Sequence, residues 1–292
     1  MSQTIEAQHL SLRYKEKLAL NDLSFKLEGA KIFGLLGRNG SGKTSLLTIL
    51  ASYIEQTSGT IRINGQEPFE NAEMMRQVCL VQENGYLSQA MTVKDVMKLS
   101  GDCWPNWDEA YAQRLIEKFE LPGKLQLQKL SRGMKSALGI TVGLASRAPF
   151  TIFDEAYLGL DAPSRYFFYD ELLSDYMEHP RTIILSTHLI EEVSKLFEEV
   201  LILDQGKLLL QAEIEELLQQ GCTVTGRADH IDEFAMGLPV LNEQKLGSTK
   251  SIIIYGKLSQ SKLTQASVLG LTLGPIALQD LFVHLTQKGG RP

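Results

Sequence analysis

Residues 32–50 read Ile-Phe-Gly-Leu-Leu-Gly-Arg-Asn-Gly-Ser-Gly-Lys-Thr-Ser-Leu-Leu-Thr-Ile-Leu. An apolar β-rich run, a glycine-rich loop closing in Lys-Thr and a helix-like segment follow one another, an order that makes a phosphate cradle. Gly37, Gly40 and Gly42 let successive backbone N–H groups converge on an anion, with Asn39, Ser41 and Ser45 completing the loop. The helix N-terminus behind them adds roughly half a positive charge. Lys43 is placed to reach β- and γ-phosphates as a point charge, and the Thr44 hydroxyl to ligate a bridging Mg²⁺. These residues predict a nucleoside triphosphate site.

Working outward, Phe150-Thr151-Ile152-Phe153 is an apolar run ending in Asp154-Glu155. A buried strand of a parallel sheet reads this way, and such sheets bind ligands at the carboxyl ends of their strands. Asp154 can hold Mg²⁺ and Glu155 can orient or deprotonate the attacking water. Leu130-Ser131-Arg132-Gly133-Met134-Lys135 opens a long helical stretch with Ser131 as its N-cap, a geometry that also suits an anion. Thr182-Ile183-Ile184-Leu185-Ser186-Thr187 is another buried-looking strand, with His188 at its exit.

The loop at 37–44, Gln82 after Val78–Val81, Ser131-x-Gly133, Asp154-Glu155, Gly159-Leu160-Asp161 and His188 occur in one order along the chain. That order resembles the ATP-binding subunits of ABC transporters over roughly residues 2–217. The resemblance implies that Gln82 touches Mg²⁺ and the lytic water and senses a membrane partner. It implies that Ser131 and Gly133 belong to the signature segment, Asp161 to the D-loop, and His188 to the switch that contacts the γ-phosphate. Tyr14, in the early strand Leu10–Tyr14, matches the aromatic that stacks on adenine. Two positions depart from the family's Leu-Ser-Gly-Gly-Gln, Arg132 and Met134, and Ala156-Tyr157-Leu158 stand where Pro-Thr or Pro-Ser is common. This variant resembles an exporter-like bacterial branch near the acetoin-utilisation and phenol-soluble-modulin systems.

In the family the phosphate loop and the signature segment face each other across two chains. The resemblance therefore implies a homodimer, or a heterodimer with another ABC ATPase subunit, closing around ATP and Mg²⁺ and reopening on hydrolysis. It also implies polytopic membrane permease subunits, contacted through the surface around Gln82. Trp104 and Trp107, in a loop near the start of the helical segment, read as packing for that subdomain or as a second-choice contact for the membrane subunit, since interfaces are enriched in tryptophan. A soluble ATPase of the same superfamily, or a nucleotide-gated half of an asymmetric pair, stands as the alternative. The first of these typically carries a coiled-coil insertion, twin ATPase halves or a basic surface.

Net charge is −6, with 35 acidic against 29 basic residues, which gives no electrostatic reason to expect nucleic acid. Cys79, Cys103 and Cys222 lack metal-ligand spacing and read as reduced thiols. Met1–Glu6 lacks the regions of a signal peptide, and no apolar run of about 18 residues is present to span a bilayer. The expected location is cytoplasmic, peripheral on the cytoplasmic face of the cell membrane.

Alternating strand-like and helix-like runs predict an α/β fold. The resemblance implies a P-loop ABC-type ATPase core with a mostly parallel sheet, an antiparallel N-terminal β subdomain and a helical subdomain. The expected ATPase domain is 1–220, with helices at 92–100, 109–119 and 132–146 inside a helical subdomain of about 92–147. A hairpin around Asp204-Gln205-Gly206 and a helix at 212–220 are expected to close it. Residues 221–292 read as a small α+β appendage, with strands at 222–226 and 251–255 and an amphipathic helix over 276–286.

Overall fold

The computed structural model describes residues 3–83 and 88–286; Met1, Ser2, Asn84–Leu87 and the last stretch of the expected appendage, 287–292, lie outside the described residues. The chain opens with β1 (Thr4–Tyr14) and β2 (Lys17–Glu28), then β3 (Ile32–Gly37), α1 (Lys43–Leu50), β4 (Ser58–Ile63), α2 (Ala72–Met75) and β5 (Val78–Gln82). Three helices follow, α3 (Val93–Cys103), α4 (Glu109–Lys118) and α5 (Arg132–Ala145). Next come β6 (Phe150–Asp154), α6 (Ala162–Glu178), β7 (Thr182–Thr187), β8 (Glu199–Asp204) and β9 (Lys207–Glu213).

β2, β1 and β4 form a three-stranded antiparallel sheet, and a six-stranded sheet runs β5-β6-β7-β3-β8-β9. The pairs β5/β6, β6/β7, β7/β3 and β3/β8 are parallel. Every residue of β3, β6 and β7 is buried, as strands covered on both faces must be. In the other sheet β2 alternates instead, with Leu23, Phe25 and Leu27 inward and their neighbours toward solvent, the pattern of a sheet with one wet face. Phe33, Leu47, Ile61 and Ile152 bring the two sheets and α1 into one hydrophobic core.

The strand register positions the site. Gln82 pairs with Asp154, Asp154 with Ser186, and Leu36 with Thr187. The loop after β3, the acids after β6 and the histidine after β7 therefore emerge along one edge of the sheet, at the carboxyl ends of its strands.

The helical segment is defined by its caps. Thr92 and Asp95 form a reciprocal capping box at α3, Asp108 caps α4 by accepting from the Tyr111 N–H, and Ser131 caps α5 by accepting from the Met134 N–H. All three helices lie close to their expected spans. Trp104 ends α3 and donates its indole N–H to the Val78 carbonyl at 3.2 Å. After the turn at Gln205-Gly206, where both residues have positive φ, the strand continues to Glu213, so the expected helix at 212–220 is shorter than its periodicity suggested. The Gln211 amide anchors that strand by donating to the Lys26 carbonyl and to Glu199, each at 2.6 Å.

The chain divides into two compact units, residues 1–189 with 195–211, and residues 190–194 with 212–292. The second unit holds α7 (Ile190–Val193), α8 (Ile214–Leu218), β10 (Gly221–Arg227), α9 (Ala228–Ala235), β11 (Val240–Leu246), β12 (Thr249–Tyr255), α10 (Gln260–Val268), β13 (Thr272–Pro275) and α11 (Leu278–Thr286). Its sheet runs β11-β12-β10-β13, antiparallel throughout, and its β-α-β-β-α-β order is that of a split βαβ unit. Val224, Ile231, Phe234, Ile252 and Ile254 form its own core, with α9 and α10 on the sheet. β11, α10 and β13 were not expected from sequence.

Candidate nucleotide site

At the start of α1 the backbone enters the left-handed region. Gly42 is the N-cap with φ 108°, and a Cβ there would meet the Ala19 carbonyl at 2.8 Å and a Leu20 methyl at 2.7 Å. Glycine is required at this point by conformation and by space. With α1 so placed, its first residue, Lys43, turns back across the loop, and its ammonium donates to the Gly37 carbonyl at 2.7 Å. The Thr44 hydroxyl donates to Asp154 Oδ2 at 2.8 Å.

Lys43 is almost fully buried, and burial pulls its ammonium below the ordinary lysine value, opposed by Glu155 and then Asp154. The Glu155 carboxylate stands 4.0 Å from the Lys43 ammonium. Lys43 is thus a buried cation beside two acids.

Glu155 adopts φ 49°, a left-handed conformation uncommon for glutamate, as its N–H donates to the Ser186 carbonyl at 3.1 Å. The turn leaves its carboxylate 3.4 Å from His188 Nδ1. Tyr157 completes this corner, its phenol 3.2 Å from His188 Nδ1 and 2.9 Å from Thr187 Oγ1.

A cavity of about 440 Å³ opens over the loop. Asn39–Ser45 line it, and Tyr14, Gln82, Asp154 and Glu155 share its wall. Tyr14 is half-exposed. Lys17 and Glu83 also line the cavity and were not singled out from sequence, since surface charges carry no positional signal of their own. Gly37 ends β3 at the base of the loop. His188, Ser131, Gly133 and Asp161 do not line the cavity; His188 stands behind its wall, beside Glu155. Ser131 is an exposed N-cap, and Asp161 caps α6 by accepting from the Ser164 N–H at 3.1 Å; hydrogen bonding from the Ser164 hydroxyl first, then from this N–H, holds its carboxyl below the usual range. Gly133 packs so closely on the chain before Asp161 that a Cβ would meet the Gly159 carbonyl at 2.7 Å.

The two departures in the signature segment differ in consequence. Arg132 forms a two-point ion pair with Glu83, Nε to Oε1 at 2.5 Å and Nη2 to Oε2 at 3.0 Å. It thereby ties the start of α5 to the residue following Gln82. Nothing in the structure explains Met134.

The donors around Thr44 suit a hard divalent cation, since a hydroxyl and a carboxylate oxygen already meet there and Gln82 shares the cavity wall. Mg²⁺ normally keeps water and phosphate oxygens for its other positions, so no all-protein cage is needed. None is found among the described residues.

Known proteins fit this geometry. The family model described as ABC transporter matches residues 20–158. An uncharacterised ABC transporter ATP-binding protein of Methanocaldococcus jannaschii is 30% identical over 225 residues, 75% of this chain and 81% of that relative. The chain belongs to the ABC transporter ATP-binding proteins. The ABC transporter ATP-binding protein YtrB of Bacillus subtilis is 27% identical over 282 residues, spanning 96% of this chain and 97% of that relative. A solved structure of an ATP-binding subunit of an ABC transporter aligns with TM-score 0.66 at 24% identity, covering 74% of this chain and 92% of that one. The fold is that of a P-loop ABC-type cassette with a further α+β unit.

Proposed function

We propose that this protein binds and hydrolyses MgATP as the engine of a transporter whose pathway belongs to separate polytopic membrane subunits. The observation that carries the reading is the convergence of Lys43, Thr44, Asp154 and Glu155 from two strand ends on one cavity. Lys43 and the loop residues Gly37, Asn39, Gly40, Ser41, Gly42 and Ser45 hold the β- and γ-phosphates, and Tyr14 stacks on the base. Thr44, Asp154 and Gln82 hold Mg²⁺ directly or through water, which neutralises charge on the phosphate oxygens. Glu155 orients and deprotonates the attacking water, and His188 contacts the γ-phosphate.

Ser131, Gly133 and Asp161 complete the site of a second ATPase chain, the same or a different one. Their position away from this chain's own cavity supports that role. ATP that touches both chains only in the closed pair binds that state more tightly, and shifts the population toward it by the difference in affinity. Hydrolysis removes the bridge and the pair reopens.

The membrane partner docks where Gln82 is shared by a second cavity of about 300 Å³, walled by Tyr53, Leu99, Trp104, Leu138 and Val142. Exposed Leu99 and Tyr53 give it an apolar floor for a partner helix. Trp107 does not line it and donates to Glu109 instead, which leaves Trp104 as the tryptophan of this surface. No helix among the described residues is long and apolar enough to cross a membrane. A peripheral, cytoplasmic placement beside separate permease subunits is proposed on the kinship with ABC transporter ATP-binding proteins. Export is proposed on the likeness of Leu130–Met134 and Ala156–Asp161 to the exporter-like branch.

The test compares wild type with Glu155→Gln for ATP turnover and for mass in excess MgATP. Turnover is expected to vanish while an ATP-held dimer accumulates. A monomer that hydrolyses at the wild-type rate despite the substitution overturns the assignment.

A further inference from the structure

We propose that Tyr157 is the positioning residue of His188, holding the imidazole in place with its proton on Nε2. The inference rests on the ATPase reading for its functional consequence, but its structural content stands on hydrogen bonds already present.

The phenol oxygen of Tyr157 lies at a junction of three polar groups. The His188 backbone N–H donates to it at 3.2 Å, Thr187 Oγ1 is 2.9 Å away, and His188 Nδ1 is 3.2 Å away. Thr187 Oγ1 in turn accepts from the Leu189 N–H at 2.9 Å. Both Tyr157 and Thr187 are buried, so each hydroxyl hydrogen needs an acceptor. Burial raises the Tyr157 phenol above its ordinary value, which keeps it a neutral donor.

Counting donors decides between two arrangements. In the first, Thr187 donates to the phenol oxygen and the phenol donates to Nδ1, which satisfies every group and leaves the histidine proton on Nε2. In the second, the phenol donates to Thr187 and Nδ1 carries the proton. Among the described residues no acceptor other than the phenol oxygen reaches Thr187 Oγ1, so the second leaves a buried hydroxyl hydrogen without a partner. The desolvation of that unpaired hydroxyl favours the first. Glu155 Oε1 stands 3.4 Å from Nδ1 and its charge opposes a bare ring nitrogen there, so the choice of the first arrangement rests on the buried Thr187 hydroxyl, which the second would leave without an acceptor.

The consequence reaches the chemistry. A donor at Nε2 is what an imidazole needs in order to address a phosphate oxygen, and the hydrogen bond at the other ring nitrogen sets which nitrogen carries the proton. The Tyr157 ring adds steric support, its centroid 5.9 Å from that of His188. The tyrosine that replaces the family's small residue after Ala156 thereby acquires a role.

The test uses the full chain with ¹⁵N-labelled histidine at about pH 8.5, where an ordinary histidine is neutral. His188 is assigned among the five histidines by comparison with His188→Gln. A protonated Nε2 and a bare Nδ1 are expected in wild type without nucleotide. Tyr157→Phe is expected to yield a mixture of tautomers and to lower kcat roughly 10-fold to 100-fold, with ATP affinity unchanged. A wild-type spectrum with the proton on Nδ1 overturns the proposal even if the variant does not fold. So does a Tyr157→Phe protein with the same tautomer and turnover as wild type. Absence of ATP turnover in wild type would instead sink the ATPase reading, because the tautomer measurement needs no nucleotide.

Discussion

Thr44 and Asp154 stand 110 positions apart in the chain, and their side chains meet at 2.8 Å, hydroxyl to carboxylate. One follows β3 and the other ends β6, with β7 lying between those strands in the sheet. The contact brings the loop and the acidic strand end within reach of one small cation.

The pair predicts a metal-dependent phenotype. Asp154→Asn keeps the hydrogen-bond acceptor and removes the charge, so nucleotide affinity is expected to fall roughly tenfold or more in Mg²⁺, about 1.4 kcal/mol or more. In excess chelator the two proteins should bind alike. Titration calorimetry in both conditions checks this, and an equal loss with and without metal would contradict the assignment.

A second expectation concerns stability away from the site. Asp175 on α6 is almost wholly buried, 3.0 Å from Arg147 Nη1 and 2.7 Å from Arg181 Nη2. Removing one member of a buried ionic cluster strands the others, at a cost of about 3–5 kcal/mol. Asp175→Ala should lower the urea midpoint accordingly. A loss below about 1 kcal/mol, the level of an exposed pair, would show the cluster to be hydrated.

The approach of α5 to the sheet makes a third. A Cβ at Gly143 would lie 2.6 Å from the Phe153 ring and 2.7 Å from a Val81 methyl. Gly143→Ala gains helix propensity, about 1 kcal/mol, yet overpacking costs about 1–3 kcal/mol. Net destabilisation is therefore expected, relieved in the double variant with Phe153→Leu. Thermal unfolding of the two proteins decides it, and a single variant more stable than wild type would mean that α5 packs less closely than described.

Alkaline pH supplies a fourth. Burial pushes the Cys79 thiol up from an ordinary 9.0 to about 12. Between those values the unfolded chain has lost a proton that the folded chain keeps, so fewer protons are bound on unfolding and stability falls as pH rises. Burial also raises the Tyr111 phenol, which acts in the same direction above its ordinary 10.0. Well below pH 9 neither group contributes to the slope. Cys79→Ala should flatten the decline by up to about 1.4 kcal/mol per pH unit. Denaturation series at pH 8, 9.5 and 10.5 read this directly, and an unaltered slope would count against it.

What could be read from the chain alone was whatever short-range chemistry enforces. The strand, loop and helix at 32–50 declare themselves because φ at Gly42, the buried run of β3 and the order Gly-Lys-Thr are local requirements. The same holds for β6 ending in Asp154-Glu155, for the cap at Ser131, and for α3 to α5. β11 escaped notice because nearly all of it faces solvent, leaving no alternation to detect, and α10 because Ala266 is its sole buried residue. The tertiary structure alone decided which side chains meet. Arg132 read only as a departure from the signature motif until the fold brought Glu83 within 3.0 Å. Tyr157 read as a departure from a motif until β7 set Thr187 and His188 against its hydroxyl. Local pattern specifies where a chain bends and what it buries; partners distant in sequence are chosen by packing, which no single window of residues contains.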